Sequence, residues 1–557
     1  MDKSELVKNI LDSYKEITVI DNSEEIVFFL LEGKEYGCWY PDIDKATSRP
    51  IFLVKNEGFY DYPHILPTSI PLDKSKSDKY RYVCLYETDS TIKFLQSKEE
   101  KLKDAIEQLI ALISLSPLER EREFQKEFLY YWNIMSENND AIRLYIRRNE
   151  QFQRMNTYRD ENNNIRCVAN GIKLSDANEV IKGKKKWNHT PELPGFYIFI
   201  EDNRRILPPT MGKKWTANDI LNIICGKDVR RISHECYYNL GKEKIKTSKV
   251  SLIFEMIVNG NYINFATIIT FKDARNDSLL NKLKQDIVEV HAVKSKRVDY
   301  YHLCRQIGND TSLLNKKALV VGAGSLGSYT AKELVKAGIK DITIYDEDKL
   351  EDENLLRHAS KGFWVGYSKA RALKYELEYI HPEIHINAID KNINESTLIK
   401  EIEKIDLIIF TVGSSDTQLE LNRVLKRVRC RKTVIYTWLE AGGAESHILV
   451  IDYSKQGCFE CLFTDKAGNL INNKANQVVD TEIEKYRIRN GCGATRVAYG
   501  NVILLRTVGV LLDTIKKLFD DVMKENTLIN INSSEVLYTG NDFVEGECQC
   551  CGNRNFK

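Results

Sequence analysis

Gly322, Gly324 and Gly327 form a GxGxxG turn, the first place where residue type and spacing together could do chemistry. Glycines there let a backbone close on a phosphate, and a helix starting behind them offers unpaired N–H groups and partial positive charge. Asp346 follows at the spacing where an acidic side chain meets a ribose hydroxyl. The motif alone admits either NAD or ATP. Cysteines supply a second chemistry. Cys458 with Cys461, and Cys548 with Cys551, make two CxxC pairs, with Cys550 an alternative ligand. Four thiolates so paired suit tetrahedral zinc, Zn2+. Cys492, in Asn490-Gly491-Cys492-Gly493, precedes a helix expected from about Val497, where a thiol becomes more acidic and attacks as thiolate. Cys84, in Tyr82-Val83-Cys84-Leu85-Tyr86, lies twenty positions after His64 and is the remaining nucleophile candidate.

The elements that must position these groups are partly legible. An apolar run at 318–321, the helical repeat of Ala331, Leu334 and Val335, and a second run at 342–345 give strand–turn–helix–strand. Further strands are expected at 407–412, ending in Gly413-Ser414-Ser415-Asp416, and at 434–438. Alternation of this kind across 298–557 implies an α/β domain with a mostly parallel sheet covered on both faces. Residues 141–297 read as a linker domain, with a β-hairpin of strands 250–258 and 262–271 about Asn259-Gly260. Residues 1–140 read as a compact α+β domain with strands at 26–31, 51–54 and 80–86. Leu102, Ile106, Leu109, Ile110 and Ile113 mark an amphipathic helix there, and a second helix is expected at 119–132, with Phe124, Phe128 and Tyr131 in the core.

Bulk properties narrow the classes. A chain of 557 residues is too long for one core and predicts two to four domains. With 81 basic and 80 acidic side chains the net charge is +1, so no global field draws it to nucleic acid or an anionic membrane. The Lys184-Lys185-Lys186 run reads as a solvated loop. The N-terminus lacks the apolar core of a signal peptide, and the apolar stretch at 502–512 is interrupted by Arg506 and too short to span a bilayer. Thirteen cysteines without a secretion signal argue for a reducing, cytoplasmic setting.

From 298 to 557 the chain resembles the ThiF/MoeB/ubiquitin-activating-enzyme superfamily. The likeness is carried by the glycine loop with Asp346, by Arg305-Gln306-Ile307, by Asn354-Leu355-Leu356-Arg357-His358, by Gly366-Tyr367-Ser368-Lys369-Ala370 and by the CxxC pairs. It implies a Rossmann-like adenylation domain using ATP and Mg2+, with Gly324 and its neighbours lining the phosphates and Asp346 on the ribose. Asn354, Arg357 and Lys369 match nucleotide-contacting positions, and Arg305 matches an arginine that reaches the ATP of the other subunit in a homodimer. Such cations suit charge moving onto leaving pyrophosphate. The family's magnesium-binding aspartate is replaced here by Gly413, and Asp416 close by takes the role in this reading. Cys492 matches the cysteine that receives the adenylated carboxylate as a thioester.

Residues 1 to about 135 resemble bacterial ubiquitin-conjugating-like domains through Pro63-His64, Cys84-Leu85 and Glu127-Phe128-Leu129-Tyr130-Tyr131-Trp132, without a His-Pro-Asn triplet. The whole order resembles bacterial fusion proteins encoded with CD-NTases in anti-phage (CBASS) operons. That likeness implies a protein substrate with a free C-terminal carboxylate, a CD-NTase, joined to a target lysine amine through Cys492 and then Cys84. Two rivals stand beside it. A ThiF/MoeB-type sulfur-carrier adenylyltransferase needs no Cys84, and an NAD-binding Rossmann module needs no Arg305, Arg357 or Lys369.

Overall fold

The computed structural model describes all residues except 1–2, 23–24, 46, 56–61, 67–79, 86–95, 137–140, 160–164, 176, 178–190, 205, 210–213, 227–230, 310, 479, 490–494, 547 and 553–557. Cys492, Tyr86 and the Lys184–Lys186 run therefore lie outside the described residues. The chain divides into two compact units, one of residues 1–170 and 189–297, the other of residues 171–188 and 298–557.

Among the described residues, the first unit holds two main sheets and a two-stranded ribbon of Lys244–Ile245 with Asp277–Ser278. In the smaller, strands Ile26–Leu31, Ile51–Lys55 and Tyr80–Val83 join Ile17–Asn22, Lys34–Trp39 and Ile65–Leu66, all antiparallel. Helix Lys98–Ile113 starts at a reciprocal Ser97–Glu100 cap and buries Leu102, Ile106, Leu109 and Ile113 against this sheet. The larger sheet contains the expected hairpin, Lys249–Val258 with Asn261–Phe271, turning through Asn259 and Gly260, both at positive φ.

The helix expected at 119–132 is instead two, Pro117–Lys126 and Phe128–Ile134, broken at Glu127. The break turns Phe128 and Trp132 onto Phe265 of the larger sheet, ring centroids 4.6 and 4.8 Å away. That aromatic burial outweighs the continuity of one helix.

In the second unit, strands β1 (Lys317–Val321), β2 (Asp341–Tyr345), β3 (His385–Ile389), β4 (Leu407–Phe410) and β5 (Thr433–Leu439) run parallel. Strands β6 (Ser446–Ile451), β7 (Thr527–Ile531) and β8 (Val536–Tyr538) extend the sheet antiparallel. The order is β3-β2-β1-β4-β5-β6-β7-β8, so the sheet is mixed rather than mostly parallel along its full width. Helices α1 (Ser325–Ala337), α2 (Lys369–Ile380) and α5 (Asn501–Phe519) cover one face. Helix α3 (Ser415–Arg427) packs Leu421 and Leu425 on the other, against Leu319 and Phe410. A short helix α4 (Asp480–Tyr486) precedes α5. The strand order reverses direction between β1 and β4, which opens a crevice at their carboxyl ends.

The helix expected near Val497 begins later, at Asn501, after Gly500 at φ +76. Thr495–Val497 pairs with Arg487–Arg489 as an antiparallel ribbon instead. No helix among the described residues is long and apolar enough to cross a membrane.

Candidate nucleotide site and cysteine cluster

The glycine loop occupies the crevice between β1 and β4. A Cβ on Gly327 would stand 1.9 Å from the Gly322 carbonyl oxygen, so the first turn of α1 can press onto the loop only with glycine there. Gly322 itself has φ +96. Gly324 caps α1 without any side-chain hydrogen bond, and nothing lies within 4 Å of where its Cβ would be. Open space in front of a helix N-terminus suits a phosphate.

Three side chains brace the loop. Asp346 accepts from the Ala323 N–H through Oδ2 at 2.6 Å and from the Asp348 N–H through Oδ1 at 2.9 Å. Burial pushes its carboxyl above the usual range, against the pull of the Ala323 N–H and the Lys369 charge. His358 is buried and bonded on both ring nitrogens, Nε2 at 2.7 Å from the Ala323 oxygen and Nδ1 accepting from Ser360 N–H at 3.0 Å. Burial drives its pKa down to about 4, and the charges of Lys369 and Arg357 reinforce the shift. Thr411, just after β4, donates its hydroxyl to the Val321 and Gly322 oxygens at 3.0 and 2.8 Å. The sequence reading missed His358 and Thr411. The only signal for His358 was its place next to Arg357.

The cations gather here. Lys369, at the start of α2, meets Asp348 at 2.7 Å. Arg357 donates to the Tyr499 hydroxyl at 3.1 Å. Asn354 is buried and uses Oδ1 to accept the Glu351 N–H at 3.1 Å, which closes a tight turn before Arg357. Arg305 is exposed on the helix Tyr300–Gln306, and Asp416 is exposed in the first turn of α3.

The second cluster is sulfur. Cys458, Cys461, Cys548 and Cys551 bring their Sγ atoms within 4.8 Å of one another. Cys548 lies 3.6 Å from both Cys458 and Cys461, and Cys461 lies 3.9 Å from Cys551. Four sulfurs at about 2.3 Å from a tetrahedral zinc would stand about 3.8 Å apart, so the set fits that ion. Cys550 lies beside the set, and Asn422 Nδ2 stands 3.5 Å from its sulfur and 3.6 Å from that of Cys458. The Cys551 N–H donates to the Cys548 sulfur at 3.2 Å, the outer bond that steadies a thiolate ligand.

Cys84 lies just past strand Tyr80–Val83, half-buried, its N–H donating to the His64 oxygen at 2.8 Å. His64 sits at φ +65, with Nε2 3.6 Å from Glu123 Oε2. The ladder that pairs Ile65 with Val83 therefore draws the histidine and cysteine loops together.

A Rossmann-type sheet with a glycine loop at its switch point defines a nucleotide-binding α/β domain. Residues 303–541 match the ThiF family, and the second unit carries a ThiF family domain. Among curated proteins, ubiquitin-like modifier-activating enzyme 5 of Caenorhabditis elegans is 28% identical over 162 residues, 26% of this chain and 37% of that protein. The Drosophila persimilis protein of the same name is 25% identical over 206 residues, 33% of this chain and 52% of that protein. The chain thus spans about a third to half of the length of these relatives. Among solved structures, Escherichia coli MccB with ATP aligns over 43% of this chain and 67% of that one, at 20% identity and a TM-score of 0.34. MccB with AMPCPP and MccA aligns over 43% and 68%, at 20% and 0.34.

Proposed function

We propose that this protein uses ATP to activate the C-terminal carboxylate of a partner polypeptide and passes the acyl group by way of sulfur to an amine. In the first step a carboxylate oxygen attacks the α-phosphorus, forming an acyl-adenylate and releasing pyrophosphate. In the second, the Cys492 thiolate attacks the acyl carbonyl and releases AMP. In the third, Cys84 takes the acyl group by thioester exchange, and a lysine amine of the target displaces that thiol to leave an amide. The partner in this reading is a CD-NTase, and the setting is anti-phage defence. The observation that carries it is the glycine loop braced by Asp346 and His358, with Lys369 and Arg357 beside it. Fixed cations there act on the charge that moves onto pyrophosphate as the acyl-adenylate forms.

Magnesium would be held against the phosphates with Asp416 as the nearby carboxylate, and zinc by Cys458, Cys461, Cys548 and Cys551, where it ties two distant turns together. A homodimer is supported by apolar exposure beside the site. Leu356 is 87% exposed and Val502 86%, and Asn501 holds the two segments together by donating to the Leu356 oxygen at 2.6 Å. Side chains of that kind favour a covered surface.

The test is ATP–pyrophosphate exchange with an added carrier polypeptide, followed by nonreducing gels on Cys492→Ala and Cys84→Ala. Exchange that depends on the carrier is expected, with Cys492→Ala abolishing both thioesters and Cys84→Ala sparing the one on Cys492. Nicotinamide binding without exchange would sink the reading. Unchanged product from Cys84→Ala would demote the N-terminal domain to a binding module.

A further inference from the structure

We infer that Asn422 is the positioning residue of the cysteine cluster: its amide donates to the sulfur of Cys458 as a zinc ligand and holds Cys550 outside the ligand set. The role rests on the zinc assignment above and involves neither ATP nor acyl transfer. Asn422 lies in α3 and is fully buried. Its Oδ1 accepts the Phe459 N–H at 3.0 Å and the Tyr453 hydroxyl at 2.9 Å. A backbone N–H can only donate, so the oxygen end of the amide faces Phe459 and the NH2 end is left for other acceptors. That end meets two sulfurs, Cys458 at 3.6 Å and Cys550 at 3.5 Å. Tyr453 gives its proton to Asn422, so the hydroxyl of buried Tyr436 in β5, 2.7 Å away, gives its proton to Tyr453. Phe459 directly follows Cys458, so one amide holds both the backbone and the sulfur of the same proposed ligand.

Charge makes that bond matter. Four thiolates around one Zn2+ carry a net negative charge, and Cys458, Cys461 and Cys548 are buried. Charge so deep needs donors aimed at it. Cys548 takes the Cys551 N–H, and Cys458 takes the Asn422 amide. Glu460, inside the first CxxC and 3% exposed, fixes the other side. Its Oε1 accepts the Cys550 N–H at 3.2 Å, and its Oε2 accepts from Nε of Arg423, the residue after Asn422, at 2.7 Å. Cys550 is thus held at its backbone by Glu460 and at its sulfur by Asn422, while Cys551 completes the set with Cys458, Cys461 and Cys548.

The full chain loaded with zinc, or with Co2+ as a coloured substitute, reads the bond directly. N–H donation stabilises the lone pairs of a ligand sulfur, so its loss weakens metal binding and moves sulfur-to-cobalt charge transfer to longer wavelength. General loss of stability leaves that band where it was. Asn422→Asp keeps an oxygen for Phe459 and Tyr453 and replaces only the NH2 end. It should raise the zinc Kd about 10- to 100-fold in competition with a chromophoric chelator, and red-shift the cobalt band. Asn422→Leu, with no donor and no added charge, should move both readings the same way. Tyr453→Phe leaves the NH2 in place and frees Oδ1 on one side, so smaller changes of the same sign are expected, and these decide the role if neither Asn422 variant folds. In the zinc-loaded wild type, alkylation mapped by mass spectrometry should mark Cys550 well before the four ligands. An unshifted cobalt band with zinc affinity within about twofold of wild type overturns the inference, as does alkylation of Cys551 with Cys550 protected. A wild-type chain that takes up no zinc sinks the zinc assignment and this role together, whereas failure in the variants alone leaves that assignment standing.

Discussion

His358 shows how much a single side chain can settle. Ser360 donates to its Nδ1, so the ring proton sits on Nε2 and is given to the Ala323 oxygen inside the glycine loop. A second proton would have to displace the Ser360 N–H, and burial adds its own penalty, which is why the pKa falls to about 4. The unfolded chain titrates near the ordinary histidine value of about 6.5. Between those two values the unfolded state carries a proton that the folded state refuses, so this group's contribution is complete above the upper value and is lost as the pH falls towards the lower, at up to about 1.4 kcal/mol per pH unit. His358→Gln keeps a donor for Ala323 but has no such titration. At pH 7 the variant should be less stable by about 1 to 2 kcal/mol for its poorer fit in the loop. Urea unfolding should show that gap narrowing as the pH is lowered from 7 to 5, and a constant gap would mean that the imidazole is not held neutral.

At the scale of elements, the cysteine knuckle joins the turn after β6 to the chain end beyond β8, and its four sulfurs come from stretches with no other covalent link. A metal there contributes folding energy directly. Elemental analysis should find zinc in the wild type and lose it in Cys461→Ser, which should melt several degrees lower, and prolonged chelation of the wild type should do the same. Cys550→Ser should keep its metal, because Cys458, Cys461, Cys548 and Cys551 make up four ligands without it. The sequence displayed both CxxC pairs but could not choose between Cys550 and Cys551, since only the fold decides which completes the set with Cys458, Cys461 and Cys548. The same limit runs through the site. Gly322, Gly324, Gly327 and Asp346 were legible because their chemistry is written in local spacing. Thr411 was not, because it works on the Val321 and Gly322 oxygens, which are adjacent to it only across the sheet. Strands Ile17–Asn22 and Lys34–Trp39 were missed for a related reason: their polar residues and Gly37 blur the alternation, and pairing with Ile26–Leu31 supplies what local pattern lacks. The helix placed at Val497 failed because pairing of 495–497 with 487–489 and the Gly442–Ala498 bond claimed those residues first.

For the molecule as a whole, the question is whether one chain completes its own nucleotide site. Lys369 and Arg357 belong to the unit that holds the glycine loop, and their charges reach His358 beneath it. Arg305 is exposed on the helix Tyr300–Gln306, and the proposed homodimer has it reach the neighbouring subunit's ATP. The two roles separate cleanly in mixed dimers. Each homodimer of Arg305→Ala lacks the reaching arginine at both sites, and each of Lys369→Ala lacks the resident lysine, so either alone should show little ATP–pyrophosphate exchange. Mixing them lets one site in each hybrid combine the lysine of the first chain with the arginine of the second, while the other site lacks both. At equal amounts half the dimers are hybrids and half of their sites are intact, which predicts recovery of about a quarter of wild-type exchange per chain. Recovery should follow the time course of subunit exchange and vanish when the dimers are crosslinked before mixing. If the mixture stays as inactive as its parents after full reassortment, Arg305 serves its own chain, and the exposed Leu356 and Val502 need another explanation.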